Sequence, residues 1–426
     1  MLQLGFIRDN KEALKKGLKI RNFKNSDLGI VDQIIALDDD RKSLQTSLDS
    51  KKAEANSLSK AIGDLFKSGK QEEAQGMKGK VSSLKEAIKA GEDTLSTIIA
   101  DLEKHLLSIP NMPHPSVPAG STEEDNEVYR PWTSDLPVLP DTAMPHWELA
   151  TKYDLFDLKL GAKITGAGFP LYRGKGAKLQ RALINFFLDE AHEAGYEEII
   201  PPLLVNEASA RGTGQLPDKD GQMYYVTDDD LYLIPTAEVP ITNIYRDVIL
   251  DEAQLPIKVT GFTPCFRREA GSYGAHVRGL NRVHQFDKVE IVRVENPENS
   301  YAALDEMIAH VSMLLDKLEL PYRILRLCGG DLGFTSALTF DFEIYSAAQK
   351  RWLEVSSVSN FETYQTNRLK LRFKDENNNK TLAHTLNGSA LALARIVAGL
   401  LENNQTEVGI VIPKALQPYT RFEIIN

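Results

Sequence analysis

Cysteine is nearly absent: Cys265 and Cys328 are the only two thiols in 426 residues. They are too few for a disulfide framework or for a cysteine-based structural zinc site, so no zinc is expected. Long apolar runs are missing as well. Even the stretch from Glu198 to Val205 falls far short of the ~18 uninterrupted apolar residues that a membrane span needs. The first ten residues lack the basic segment, apolar run and small-residue cleavage site of a secretory signal, so a cytoplasmic location is expected. Two familiar nucleotide loops are also wanting. The segment Gly168 to Gly176 places five residues rather than four between its first two glycines, and has Gly176 where Ser or Thr would meet Mg²⁺. No Gly-x-Gly-x-x-Gly follows a strand and opens a helix. A nucleotide bound here would need another construction.

What is present is an ordinary globular composition, 42% hydrophobic and 26% charged, which excludes disordered and collagen-like classes. The length suits two or three domains at roughly 150 residues each. The net charge of −10 argues at first against a nucleic-acid partner, because phosphate contacts favour Lys and Arg. Its distribution changes that inference. Residues 1–110 hold 19 Lys+Arg and 17 Asp+Glu, about +2, which leaves about −12 for the rest.

That less acidic segment has its own periodicity. Ile30, Ile34, Leu37, Leu44, Leu48, Ala55, Leu58, Ile62 and Leu65 follow heptad spacing, and after a Lys67-Ser-Gly-Lys70 turn the pattern resumes at Met77, Val81, Leu84, Ile88, Leu95, Ile98, Leu102 and Leu106. Arg41 and Lys51 occupy skipped seam positions, Gly91 sits in the second seam, and Asp38, Asp39 and Asp40 read as a charged flank. Two seams about a short turn predict an antiparallel α-helical hairpin, a coiled coil with arms of roughly 37 residues and about 55 Å. Lysines 51, 52, 60, 67, 70, 78, 80, 85 and 89 gather toward its distal end. A solvated coiled-coil surface and an RNA-contacting finger both fit this pattern.

Repeated prolines after Ile109 forbid helix continuation and place a domain boundary, giving 1–110 as a helical arm and 111–426 as a second domain. Beyond about residue 145 the texture is mixed. Helices are predicted at Leu179–Ala194, 300–320 and Ser389–Glu402, with strands before Pro201, over Lys288–Val294 and over Phe340–Tyr345. Strands grouped without βαβ alternation predict an antiparallel α+β domain.

Candidate functional residues concentrate in a few segments. Residues 262–290 place a Gly-rich loop with Arg267, Arg268, Arg278 and Arg282 between strand-like ends, suited to clamping phosphates with guanidinium forks while Phe286 offers a stacking face. An exposed basic hairpin fits the same residues. Pro235-Thr-Ala-Glu238 reads as a helix N-cap with a first-turn carboxylate. Glu354-Val-Ser-Ser357 reads as a strand end or as oxygen ligands for Mg²⁺. His384-Thr-Leu-Asn-Gly-Ser389 opens an apolar helix that carries Arg395, which needs a paired anion.

Taken together and in order, these segments resemble the class II aminoacyl-tRNA synthetases, and specifically the seryl-tRNA synthetases of the bacterial and eukaryotic type. Residues 178–202 look like motif 1, residues 262–290 like motif 2 and residues 384–402 like motif 3. The resemblance implies a homodimer whose antiparallel catalytic sheet is flanked by helices and preceded by a tRNA-binding helical arm. It implies activation of L-serine with ATP and Mg²⁺, then transfer of serine to the terminal adenosine of tRNA(Ser), with tRNA(Sec) as a second candidate. By the same resemblance Arg267 grips the α-phosphate and Arg395 the γ-phosphate. Arg268, Glu269, Val283, Phe286, Val355 and Ser356 complete the ATP site, and Glu354 and Ser357 look like the Mg²⁺ ligands. Thr236, Ala237, Glu238, Arg267, Glu290, Asn387 and Ser389 would form the serine site, with Arg267, Arg395 and Glu269 as the catalytic set. Two rival readings are a synthetase-like ligase that loads a carrier protein and a non-catalytic coiled-coil scaffold.

Overall fold

The computed structural model describes residues 1–218, 221–269 and 277–426. It packs as two units, one made of Leu2–Lys19 and Phe23–Pro110, the other of Met1, Ile20–Asn22 and Asn111–Asn426.

In the first unit, short helices α1 (Leu4–Asp9) and α2 (Lys11–Ile20) precede the long helices α3 (Ile30–Lys67) and α4 (Gln71–Ser108), which pack on each other as an antiparallel hairpin. The seam is legible in the burial: Ile34, Leu48, Ala55, Val81, Leu102 and Leu106 are buried. Gly91 lets the two helices approach, since a Cβ there would lie 2.7 Å from a Leu48 methyl. Lys52 to Glu92 at 2.8 Å and Lys80 to Glu54 at 2.9 Å bridge the pair. One expectation fails here. Asp38 is not a flanking surface charge but is 1% exposed, clamped by Arg8, Arg41 and Lys42 at 2.7–2.8 Å. Burial alone would raise its carboxyl; the three cations outweigh it and hold the group far below the usual carboxylate range. The partner Arg8 comes from α1, a helix that the heptad pattern does not reach.

The second unit is built on an eight-stranded sheet of β1 (Glu127–Arg130), β2 (Glu197–Glu198), β3 (Ile257–Phe266), β4 (Gln285–Glu295), β5 (Tyr322–Arg326), β6 (Leu338–Ser346), β7 (Arg351–Glu362) and β8 (His384–Ala392). Their spatial order is β1-β5-β6-β7-β8-β4-β3-β2, and every neighbouring pair is antiparallel except β3 with the two-residue β2. The unit's helices include α5 (His146–Tyr153), α6 (Gly174–Glu193), α7 (Glu238–Asn243), α8 (Ser300–Lys317), α9 (Thr363–Leu369) and α10 (Leu393–Asn403). Phe186 and Phe187 of α6, Met307 and Val311 of α8 and Ile396 and Val397 of α10 join Ile291, Phe342, Val358 and Leu386 of the sheet in one apolar core. Burying each such side chain contributes about 1.5–3 kcal/mol.

The helix expected from Ser389 begins only at Leu393, and His384–Ala392 is a strand. Gly388 there pairs with both Ile291 of β4 and Val358 of β7, so β8 is central and closely flanked. A short apolar run reads alike as buried strand or buried helix, and only the two neighbouring strands decide it. Likewise Glu354–Ser357 lies inside β7 rather than at a strand end.

Candidate active site

Strand alternation builds the site. On β8, Leu386 and Ala390 enter the core while Asn387 and Ser389 face a cavity of about 1060 Å³; on β4, Val289 and Ile291 enter the core while Phe286, Lys288 and Glu290 face the same cavity. Strand β7 adds Glu354, Val355, Ser356 and Ser357, helix α10 adds Arg395 from its first turn, the turn before α7 adds Thr236, and α7 itself adds Glu238.

One wall carries cations. Arg267 follows the end of β3, where its N–H donates to the His284 carbonyl at 2.9 Å across the hairpin. Its guanidinium lies 5.3 Å from the centre of the Phe286 ring, and its Nε donates to the Pro235 carbonyl at 3.3 Å. Arg395 donates through Nε to the Asn281 carbonyl at 2.9 Å and through a terminal nitrogen to the Glu354 carbonyl at 2.7 Å. These two arginines are therefore oriented by main-chain oxygens. Arg395 also stands 3.7 Å from the Glu354 carboxylate, while the positive charge of Arg267 is left available to an anion in the cavity. Glu269 also lines the cavity and is paired with Arg282.

The same cavity holds a buried acceptor group. Glu290 is 2% exposed, ion-paired with Lys288, and accepts from the Thr236 hydroxyl at 3.1 Å. Glu238 is 8% exposed, and its Oε1 accepts from Gln365 Nε2 at 2.6 Å. Burial first, and the charge of Glu290 second, push the Glu238 carboxyl up to about 7, against the hydrogen bond from Gln365. The Asn387 Nδ2 is buried with no hydrogen-bond partner among the described residues. The amide is close enough to Glu238 to favour that carboxyl's ionised form, and a ligand that gives it a well-formed hydrogen bond relieves the cost of its burial.

Also lining the cavity, Asp341 of β6 stands opposite Ser357 of β7 and accepts from its hydroxyl. Burial, and then the neighbouring charge of Glu354, raise the Asp341 carboxyl well above its ordinary value. The Ser356 hydroxyl donates to the Ser389 carbonyl at 2.6 Å, tying β7 to β8.

Nearly all the residues singled out from sequence thus line one cavity. Three do not. Ala237 is fully buried in a small apolar cluster with Ile241, Arg268 turns toward Tyr224, its guanidinium 5.6 Å from the ring, and Arg278 lies over Trp147 at 4.7 Å. The loop positions Gly271, Gly274 and His276 lie outside the described residues. The reading from sequence passed over Lys288, although the period-two run Phe286, Lys288, Glu290 marks it. It also missed Asp341 and Gln365, which are brought in from another strand and another helix and leave no local signal.

A family model for the seryl-tRNA synthetase N-terminal domain matches residues 1–113, and one for the tRNA synthetase class II core domain (G, H, P, S and T) matches residues 224–404. The chain is 51% identical over 428 residues to the serine–tRNA ligase of Salinibacter ruber, covering 100% of this chain and 99% of that one. Its fold is similar to the crystal structure of seryl-tRNA synthetase from Pyrococcus horikoshii complexed with ATP, with a TM-score of 0.91, 33% identity, and 100% and 99% coverage of the two chains. It is also similar to the cytoplasmic serine–tRNA ligase of Naegleria fowleri in complex with AMP, with a TM-score of 0.86, 28% identity and the same coverage.

Proposed function

The chain belongs to the seryl-tRNA synthetase family of class II aminoacyl-tRNA synthetases, and on that premise we propose that its cavity joins L-serine to ATP and passes the serine to tRNA(Ser). The observation that carries this reading is the gathering in one cavity of Arg267 and Arg395, both oriented by main-chain carbonyls, with the buried acceptors Glu238 and Glu290.

In the first step a serine carboxylate oxygen attacks the α-phosphorus of ATP, the α–β bridging bond breaks, and pyrophosphate leaves. In the second a ribose hydroxyl of the terminal adenosine attacks the seryl carbonyl and AMP leaves. Both steps gather negative charge on phosphate oxygens. Arg267 meets the α-phosphate and Arg395 the γ-phosphate, with Phe286 against adenine, and Glu269, Val283, Val355 and Ser356 completing the ATP site. Catalysis here is positioning and electrostatic stabilisation, with no protein nucleophile. Glu290 pairs with the serine ammonium, Glu238 accepts from its hydroxyl, and Thr236, Asn387 and Ser389 close the pocket around it. Alanine then leaves Glu238 unpaired, a defect that can discriminate by roughly 10⁴–10⁵.

The donor set at Glu354 and Ser357 fits Mg²⁺. It is all oxygen, and Asp341 beside it is held up partly by the charge of Glu354, a repulsion that a divalent cation would relieve. Glu354 and Ser357 would hold the ion, which when bound neutralises phosphate charge.

The helical hairpin, with its distal lysines exposed apart from the half-buried Lys51, is the element for tRNA, and the resemblance extends to a homodimer. Ile200 at 87% exposure, with Leu203 and Leu204 near 40%, offers an apolar strip beside the motif 1 segment for that contact. No helix among the described residues is long and apolar enough to cross a membrane, and we place the protein in the cytoplasm. Serine-dependent ATP–pyrophosphate exchange with a panel of amino acids, followed by serylation of tRNA, tests the reading. Exchange supported by another amino acid in place of serine overturns it, and transfer to a carrier protein but not to tRNA identifies the rival ligase.

A further inference from the structure

Glu238 projects from the first turn of a six-residue helix, and a carboxylate so placed can turn about its side-chain bonds. What restrains it is a pair of buried side chains, Gln365 and Thr385, set back from the cavity. Gln365 of α9 is 1% exposed, and its amide is saturated: Nε2 donates to Glu238 Oε1 at 2.6 Å and to the Thr213 carbonyl at 3.2 Å, while Oε1 accepts from the Thr385 hydroxyl at 2.7 Å. The orientation of that amide is forced. A carbonyl and a carboxylate both demand donors, so Nε2 must face them, and Thr385 then meets the amide oxygen with its O–H. Thr385, itself 1% exposed, stands on β8 two residues before Asn387, and Asn387 two before Ser389. The three share one side of the strand. Ser389 and Asn387 face the cavity, and Thr385, the next along, anchors the residue that anchors Glu238.

We propose that Gln365, locked by Thr385, is a positioning residue for amino-acid selection: it turns Oε1 of Glu238 into the protein and thereby presents Oε2 to the substrate hydroxyl. This rests on the serine pocket described above. The physical need is specific. A lone carboxylate next to Glu290 is repelled by it and free to rotate. An acceptor that can rotate away loses little when alanine arrives without a hydroxyl, so the discrimination of a buried unpaired group is available only if the carboxylate is held. Neither Gln365 nor Thr385 lines the cavity, so both act through Glu238.

The test uses the full-length chain in amino-acid-dependent ATP–pyrophosphate exchange. Gln365→Met keeps the length and removes the amide; Thr385→Val keeps the shape and removes the hydroxyl; Thr385→Ser restores a hydroxyl. Loss of a hydrogen bond to a charged group corresponds to about a 10- to 100-fold effect. Gln365→Met is expected to raise the serine KM by that factor with the ATP KM within about twofold, and to reduce the preference for serine over alanine in proportion. Thr385→Val should follow in the same direction and Thr385→Ser should recover most of the loss. The double variant Gln365→Met/Thr385→Val should be no worse than the worse single change, because both break one chain of contacts. Unchanged serine KM and selectivity in folded Gln365→Met, or a parallel rise of the serine and ATP KM, overturns the proposal. Should Gln365→Met fail to fold, the Val and Ser variants of Thr385 decide it, since equal behaviour of the two also overturns it. A wild-type chain without serine-dependent exchange refutes the pocket itself, a result distinct from any of these.

Discussion

His146 and Glu402 form a fully buried pair, Nδ1 to Oε1 at 2.6 Å with neither side chain exposed, across 256 residues of sequence. The other ring nitrogen, Nε2, accepts from the Leu280 N–H at 2.8 Å, so it carries no proton and the imidazole proton sits toward Glu402. Gln349 also donates to Glu402 at 2.9 Å and to it, in turn, Asn281 donates at 2.8 Å. The carbonyl of Asn281 is the one that orients Arg395, two helical turns before Glu402 on the same helix. Gly279, at φ +71°, leaves room for the ring, since a Cβ there would lie 2.1 Å from His146 Nε2. The end of the motif 2 loop and the motif 3 helix are thereby tied through one histidine.

Breaking that pair leaves an uncompensated buried group. Glu402→Ala is expected to cost about 3–5 kcal/mol, read as a lower urea midpoint. Burial opposes ionisation of Glu402, yet the hydrogen bond from His146 holds its carboxyl below the ordinary value. A depressed carboxyl contributes stability above its unfolded pKa and loses it as pH falls through the folded one. The wild type should therefore lose stability on acidification more steeply than Glu402→Ala, and parallel pH profiles of the two would refute the linkage.

Glu238 carries the opposite sign. Its carboxyl is pushed up to about 7 in the empty site, by burial and then by Glu290. Serine brings an ammonium and a hydroxyl, both of which favour the ionised form. Binding below about pH 7 must then expel a proton, and the serine KM should approach a tenfold rise per pH unit of acidification while the ATP KM stays level. Because a raised carboxyl destabilises the fold above its folded pKa, Glu238→Gln should raise Tm at about pH 8 while raising the serine KM. Steady-state exchange across pH, beside thermal melts, checks both halves.

Arg395 is expected to act through its planar fork rather than its charge alone, given two directed bonds at 2.9 and 2.7 Å to main-chain oxygens. Arg395→Ala should lower exchange by about 10²–10³, and Arg395→Lys should recover little of it. The serine KM should not move in either variant; if it does, Arg395 belongs to the serine pocket instead.

Removing the helical hairpin, about residues 28 to 105, should leave serine-dependent exchange largely intact while serylation of tRNA collapses. The catalytic cavity is lined wholly by residues of the second unit, which gives exchange its independence. Equal loss of the two activities would refute the division of labour.

Legibility from sequence followed contact range. The hairpin could be read because its partners are three and four residues apart along each helix, so Ile34, Leu48 and Val81 announce their own burial. The cavity wall on β4 was nearly as plain, since alternation puts Phe286 and Glu290 on one face. His384–Ala392 was misread because an apolar run carries no period until its neighbours on either side are known.

Composition, periodicity and the ordered motifs were thus sufficient to anticipate the helical hairpin, the antiparallel domain and the two arginines, Arg267 and Arg395, that line its cavity. Only the tertiary structure decided how those groups are held. Asp38 with Arg8, Glu402 with His146, and Glu238 with Gln365 and Thr385 each join distant segments. A buried charge must find its partner wherever the fold brings one, and hydrogen-bond reach of ~3 Å is a condition on space that no spacing along the chain can express.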